Sequence, residues 1–104
     1  MVKRIIESPH EFKNIIGSNL GVSNWQKVTQ EKIDNFADST LDYQWIHVEP
    51  DKAKKESPFK NTIAHGYYSL SLIPSFVYEI WECKNLKLIL NYGTNKIRFI
   101  SPVI

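Results

Sequence analysis

Apolar residues recur at helical spacing in three stretches of the chain, and these spacings predict three helices. The first is expected after Ser8, because Ser8-Pro9-His10-Glu11 has the residue order of a capping box with proline in the first turn. The second is expected from Gln30 to about Asp38, with Thr29 as its cap. The third is the most apolar, spans about 66 to 82 and contains Pro74, which predicts a kink.

Alternating apolar and polar residues predict strands in three other places. These are Trp25–Val28, Leu86–Tyr92 and Asn95–Ile100. A brief helix is also expected near Pro50, where proline and an acid stand in a first turn. A long buried helix needs a sheet to cover it, so the pattern predicts an α+β fold, although the last third supplies barely one hairpin of strand.

The composition predicts one globular domain covering residues 1–104. Of the 104 residues, 42% are hydrophobic and 23% are charged, which is ordinary for a soluble protein. A net charge of +2 with scattered lysines gives no reason to expect a nucleic-acid partner. The single cysteine, Cys83, cannot form a disulfide within the chain. With neither an apolar leader nor a run of roughly 18 apolar residues, a cytoplasmic location and no membrane partner are expected.

An acid and an imidazole stand five residues apart in the segment Asp42-Tyr43-Gln44-Trp45-Ile46-His47. On a regular strand this spacing would put Asp42 and His47 on opposite faces, so they converge only if the segment is a loop or a short turn. They then form a general acid–base pair in which one group activates water and the other handles a second proton. The alternative is that Asp42 is a turn residue and His47 a half-buried side chain.

His65 and Gly66 open the most apolar predicted helix. The unpaired N–H groups of a helix start can stabilise a carbonyl oxygen that gains negative charge, and glycine lets a ligand approach the backbone. The alternatives are a plain glycine turn, and a histidine that serves as a cap, a hydrogen-bonding core residue or a ligand. Metal binding is not expected, because no two candidate ligands share a helix face and one cysteine gives no zinc spacing.

The segment from Asp42 to His47 resembles the hydratase motif of the MaoC-like dehydratases, the R-specific enoyl-CoA hydratases, whose core is Asp-x-Asn-Pro-x-His. The Gln44-Trp45 version resembles the branch related to nodulation protein N. Further matches to that branch run in order along nearly the whole chain: Gly21-Val22-Ser23, Val28-Thr29-Gln30-Glu31, Ser57-Pro58-Phe59, Thr62-Ile63-Ala64-His65-Gly66, Leu70-Ser71-Leu72, Asn91-Tyr92-Gly93 and Arg98-Phe99.

The resemblance implies a hotdog-like fold, in which an antiparallel sheet wraps a central helix, here about 66–82, usually in a dimer. It also implies reversible addition of water to a 2-enoyl thioester. Asp42 and His47 would be the acid–base pair, Gly66 would offer its N–H to the thioester oxygen beside His65, and Gln44 would orient the pair or the water. No separate cofactor is implied, since coenzyme A or an acyl carrier is part of the substrate.

Two departures from the family pattern bear on these expectations. Leu41 stands where the family usually has glycine, and because leucine adopts positive φ at a cost, the loop is expected to be altered and Asp42 displaced. Family members also continue beyond the Arg98-Phe99 strand into several long strands, so the C-terminal strands of the fold are expected to be missing. A truncated gene, a second chain that carries those strands, or an oligomer that shares strands would account for this, and self-association is predicted.

Two further functions remain open at this point. The chain could be a weak or inactive hotdog remnant that serves as a binding or assembly subunit. It could also be a thioesterase on the same fold, although the spacing of Asp42 and His47 favours hydration.

Overall fold

The computed structural model describes residues 2–104. Its regular elements are strand β1, a 3-10 helix, helices α1 to α5 and strand β2. In chain order they are β1 (Arg4–Ile6), the 3-10 helix (Pro9–Asn14), α1 (Gln30–Thr40), α2 (Trp45–Val48), α3 (Pro50–Glu56), α4 (Gly66–Ser71), α5 (Ile73–Ile80) and β2 (Trp81–Cys83). Among the described residues, no helix has the length and apolar character needed to cross a bilayer.

The backbone forms two compact units. One comprises the segment up to Trp25 together with Ile73–Ile97, and the other comprises Gln26–Leu72 together with Arg98–Ile104. In the first unit β1 and β2 pair in parallel, with Arg4 opposite Trp81 and a fully buried Ile6 opposite Cys83. The Phe12 ring meets the Trp81 ring edge to face at 5.3 Å, which packs the 3-10 helix against this sheet.

The second unit contains the cluster of buried apolar side chains. Ile33 of α1, Ala64 and Tyr68 of α4 form its centre, and Val28, Phe36 and Leu72 pack around them. The helix α1 contributes one apolar face, with Ile33 and Ala37 four residues apart. This unit therefore has a core of its own, formed between α1 and the segment that leads into α4.

Two predicted helices of this unit are confirmed. Helix α1 begins after Thr29, whose Oγ1 accepts a hydrogen bond from the Lys32 N–H at 3.2 Å, and it ends at Thr40, two residues later than predicted. Helix α3 begins at Pro50, with Asp51 in its first turn and two lysines in its last.

The predicted helix after Ser8 is a 3-10 helix, and the predicted capping box is wrong. The Ser8 side chain makes no capping hydrogen bond. The Glu11 carboxylate instead accepts from the Glu7 N–H at 2.7 Å, one residue before the position that a capping box would use. The serine and glutamate therefore start a short, tight turn rather than an α-helix.

The predicted helix over 66–82 is divided. It forms α4 and α5, which are separated at Leu72, and its last two residues belong to strand β2. Pro74 gives the physical reason, because proline has no N–H to donate to the carbonyl four residues earlier and its ring clashes there. The proline that predicted a kink thus lies at the start of a second helix.

The three predicted strands are wrong in the part of the chain that the structure describes. Residues 25–28, 86–92 and 95–100 form no regular strand, and the side chains of Trp25, Leu90 and Tyr92 are exposed. Alternation alone does not make a strand, since its N–H and C=O groups need a partner strand. The mixed helix and sheet of an α+β fold is present, but its sheet has two parallel strands. The antiparallel sheet around a central helix and the single domain over residues 1–104 stay predictions.

The altered loop and the displacement of Asp42 that were expected from Leu41 stay predictions. Leu41 adopts the left-handed conformation itself, with φ 63° and ψ 27°, and its N–H donates to the Ala37 carbonyl at 2.7 Å. It therefore ends α1 in the way that a glycine would. The backbone strain of this conformation is carried at Leu41, and Asp42 follows a normally terminated helix.

Replacing Leu41 with glycine is expected to stabilise the protein. Left-handed backbone costs a leucine about 1–2 kcal/mol, while glycine loses about 0.5–1 kcal/mol of extra entropy on folding, so the net gain is on the order of 1 kcal/mol. The exposed leucine side chain gives up little burial. Urea unfolding measures the gain, with Leu41→Val expected to destabilise. Equal or lower stability for Leu41→Gly would contradict the account.

Candidate active site

The second unit brings Asp42, His47 and His65 together. A carboxylate oxygen of Asp42 and one ring nitrogen of each histidine all lie within 4.8 Å of one another. Asp42 stands in the loop after α1, His47 lies in α2, and His65 directly precedes α4. The short helix α2 turns the chain tightly enough for Asp42 and His47 to converge, with the His47 N–H donating to the Gln44 carbonyl at 3.0 Å.

His47 is buried, and the hydrogen bond of its ring defines its tautomer. Nδ1 lies 2.7 Å from the carbonyl oxygen of Ile63. Since a carbonyl only accepts, Nδ1 carries the proton and donates, and in the neutral ring Nε2 keeps a free lone pair. The Ile63 N–H in turn donates to the Ile46 carbonyl at 3.0 Å, so the two segments are joined by a pair of bonds. The arrangement presents His47 as a base at Nε2.

His65 is 3% exposed and stacks on His47. The centroids of these two rings are 3.8 Å apart and their planes form an angle of 21°. The Phe36 ring also packs against His65, with 5.0 Å between the centroids of the two rings. Nε2 of His65 donates to the Asp42 carbonyl oxygen at 3.1 Å. Its Nδ1 is buried and has no hydrogen-bond partner within residues 2–104. His65 therefore anchors the backbone of the Asp42 loop and supports the His47 ring from one face.

Asp42 is more open than the two histidines. Its side chain is 53% exposed, and its Oδ2 lies 4.0 Å from Nε2 of His65. Its Oδ1 accepts a hydrogen bond from the Gln44 N–H at 3.3 Å. Gln44 thus contacts the aspartate through its main chain, at the position that precedes α2, while its side chain is exposed.

Tyr43, between Asp42 and Gln44, interacts with α1. Hydrogen bonding to the Asp38 carboxylate raises the pKa of the Tyr43 hydroxyl above its usual value of 10.0, since the carboxylate stabilises the protonated phenol. Tyr43 therefore lies beside the last turns of α1, to which Asp38 belongs.

Gly66 is the first residue of α4, so its N–H has no acceptor in a preceding helical turn. Its lack of a side chain has a separate structural reason. A Cβ built on Gly66 would lie 2.5 Å from Cδ2 of Phe99, closer than any real contact. The Ala64 N–H donates to the Val103 carbonyl at 2.8 Å, which fixes the segment that carries Phe99 beside this helix start. The glycine is required for packing whether or not its N–H contacts a ligand.

The spacing of residues along the chain did not predict that three potential metal ligands would lie close together. Asp42, His47 and His65 meet through tertiary structure rather than on one helix face. Their geometry suits proton transfer better than metal binding. Lone pairs lie in the plane of an imidazole ring, so those of two nearly parallel stacked rings run side by side and do not converge on one ion. His65 would also have to give up its bond to the Asp42 carbonyl to ligate through Nε2.

Sequence reasoning missed several residues that build the site. The Ile63 carbonyl could not be found from the sequence, because it acts through the backbone. Gln30 was assigned only as the start of α1, yet its side chain reaches the His47 carbonyl. Phe36 and Phe99 read as ordinary apolar residues, although their rings contact His65 and Gly66.

The comparison with known protein families assigns the chain to a class. A model described as the MaoC like domain matches residues 11–104. The chain belongs to the MaoC-like domain family, which confirms the resemblance stated from the sequence.

Individual relatives agree with this assignment. The chain is 44% identical over 100 residues to the 3-hydroxyacyl-thioester dehydratase Z of Mycobacterium tuberculosis (strain ATCC 25618 / H37Rv), which covers 96% of this chain and 66% of that protein. It is 47% identical over 89 residues to nodulation protein N of Rhizobium leguminosarum bv. viciae, covering 85% of this chain and 55% of that protein. The predicted likeness to the nodulation protein N branch is thereby confirmed. The chain spans between about half and two thirds of the length of these relatives.

Replacing Gly66 with alanine tests how much of its importance is packing. The added methyl group meets the Phe99 ring, so Gly66→Ala is expected to cost about 1–3 kcal/mol of stability, as overpacking does. The double variant with Phe99→Ala should recover most of that loss, which thermal unfolding of all four proteins measures. If the changes in stability caused by Gly66→Ala and Phe99→Ala were strictly additive, the added methyl group would not be meeting the Phe99 ring.

Proposed function

We propose that this chain carries the acid–base site of an enzyme that hydrates 2-enoyl thioesters and dehydrates 3-hydroxyacyl thioesters. The proposal rests above all on the meeting of Asp42 and His47, with a carboxylate oxygen and a ring nitrogen within 4.8 Å. A single water hydrogen-bonds to two acceptors up to roughly 5.6 Å apart, since each bond is about 2.8 Å long. The pair is thus spaced to hold one water between an imidazole and a carboxylate.

In the hydration direction, the water oxygen attacks C3 of the double bond. His47 takes a proton from that water at Nε2, because its Nδ1 already donates to the Ile63 carbonyl. Asp42 accepts a hydrogen bond from the other O–H of the water, which becomes the hydroxyl group on C3, and its negative charge stabilises the imidazolium that forms. A proton then passes from the pair to C2, so the elements of one water are added across the double bond and both residues return to their starting states.

Charge that moves onto the thioester oxygen during this attack needs a stabilising donor. Gly66 is proposed to supply it through its N–H at the start of α4, next to His65, since no preceding helical turn offers that N–H an acceptor. Phe99 packs on the same glycine, so it would form one wall of the space that the thioester enters. Gln44 would keep the Asp42 carboxylate oriented through its main-chain N–H.

The relatives support the substrate class. One of them is named as a 3-hydroxyacyl-thioester dehydratase, and dehydration is the reverse of the reaction derived above. The substrate proposed here is therefore an acyl thioester of coenzyme A or of an acyl carrier, with no separate cofactor. The proposal includes the family's hotdog-like fold, with an antiparallel sheet around the central helix, as a single domain.

The test is hydration of a trans-2-enoyl-CoA, followed by loss of the absorbance of the conjugated thioester. His47→Ala and Asp42→Asn are each expected to lower kcat by about 10²–10⁴-fold, the range for loss of a general acid or base. His10→Ala and Asp51→Asn are matched controls, because both side chains are exposed and neither belongs to the site. An inactive wild-type chain, or activity that survives both site variants, would contradict the proposal and favour the binding or assembly role.

We also propose that the chain self-associates. Exposed large apolar side chains are concentrated toward the end of the sequence: Leu86, Leu88, Ile89, Leu90, Tyr92, Ile97, Phe99, Ile100, Val103 and Ile104. Apolar surface of this density is typical of an interface. Sedimentation velocity should give a mass above the 12.1 kDa of one chain, and Leu88→Lys with Leu90→Lys should lower it. Lys87→Glu is the control, and a monomer at all concentrations would contradict self-association.

A further inference from the structure

We propose that Gln30 is a positioning residue for His47, an inference that rests on the function proposed above. Gln30 is the first residue of α1 and is partly buried. Its side-chain amide bonds to the carbonyl of His47 and to the hydroxyl of Thr62, which belong to the two segments that hold the imidazole in place.

The amide group of Gln30 uses all of its polar atoms in a defined orientation. Nε2 donates to the main-chain carbonyl of His47 at 2.7 Å and to Oδ1 of Asp34 at 2.9 Å. Oε1 accepts from the hydroxyl of Thr62 at 2.5 Å. Two acceptors on one side and a hydroxyl donor on the other fix which end of the amide is nitrogen. Asp34 lies one helical turn after Gln30 and so holds its side chain on the correct face.

The bond to the His47 carbonyl supports an element that cannot support itself. Helix α2 has four residues, and a single turn of helix is not stable in isolation. Two hydrogen bonds of the local backbone close it, from the N–H groups of His47 and Glu49. Gln30 adds a bond from outside the helix at the catalytic residue itself, and thereby ties α2 to the much longer α1.

The bond from Thr62 connects the same amide to the acceptor of the His47 ring. Thr62 directly precedes Ile63, whose carbonyl receives the proton of His47 Nδ1. Gln30 therefore links the backbone of His47 to the segment that determines its ring orientation and tautomer. A displacement of about 1 Å between reacting groups costs on the order of 10²-fold in rate, so this link has a direct consequence for catalysis.

The experiment compares Gln30→Met, which keeps the length of the side chain and removes its polar atoms, with Gln26→Met. Gln26 is exposed and lies outside the site, so it is the matched control. Nitrogen-15 NMR of histidine-labelled protein reports the tautomer of His47, identified by the loss of its signals in His47→Ala. Wild type and Gln26→Met should show His47 protonated at Nδ1 alone, and Gln30→Met should show a mixture of tautomers.

Kinetics provide the second readout. Gln30→Met is expected to lower kcat about ten- to a hundredfold with KM changed less than threefold, because the substrate contacts remain and the base is displaced. Thr62→Val removes only the hydroxyl that bonds to Gln30, and is the deciding variant if Gln30→Met does not fold. It should shift the tautomer signals in the same direction and lower kcat by a smaller factor.

The outcomes separate this inference from the proposed function. A folded Gln30→Met or Thr62→Val with the His47 tautomer of wild type and unchanged kcat would overturn the positioning role. If the wild-type chain hydrates no enoyl thioester, the proposed function fails, while the NMR comparison still decides whether Gln30 holds the His47 ring.

Discussion

The hydrogen bond from His47 Nδ1 to the Ile63 carbonyl is the interaction on which the site depends. It is 2.7 Å long and joins residues sixteen apart in the chain. A second hydrogen bond, from the Ile63 N–H to the Ile46 carbonyl, joins the same two segments. The two bonds together restrict the movement of α2 relative to Ile63. Because the acceptor is a carbonyl, the bond also determines which ring nitrogen is free. One backbone atom thus sets both the position of the base and its chemistry.

The surrounding contacts make sense as supports for that bond. Helix α2 is too short to hold His47 alone, so its geometry comes from neighbouring segments. His65 stacks on one face of the His47 ring and donates to the Asp42 carbonyl, which couples the imidazole to the loop that carries the acid. Gln30 bonds to the His47 carbonyl from the side of α1. Three separate elements therefore converge on one residue, as expected where geometry must be precise within a small domain.

A structural feature could be predicted from the sequence where residues next to it along the chain determine it, and not where tertiary contacts do. The Thr29 cap of α1 and the Pro50 start of α3 are local, and both were found. The strand over 86–92 was predicted wrongly, because pairing depends on a partner that alternation does not specify. Asp42 and His47 were identified as candidates, but their meeting with His65 is tertiary. Leu41 adopts a left-handed conformation that its residue type disfavours, because the helix end and its hydrogen bond to Ala37 require it.

The unequal burial of the three central side chains bears on how the site would act. Asp42 is half exposed, while His47 and His65 are almost fully buried. Water can therefore reach the carboxylate from solvent, whereas the imidazole lies in a less polar environment where interactions between charges are stronger. A water held between them would enter from the Asp42 side, and an imidazolium formed at His47 would have the Asp42 carboxylate within 4.8 Å. Because the Asp42 carboxylate is exposed to water, the pair avoids the free-energy cost of burying two ionised groups. His47 can still act as a base that is shielded from solvent.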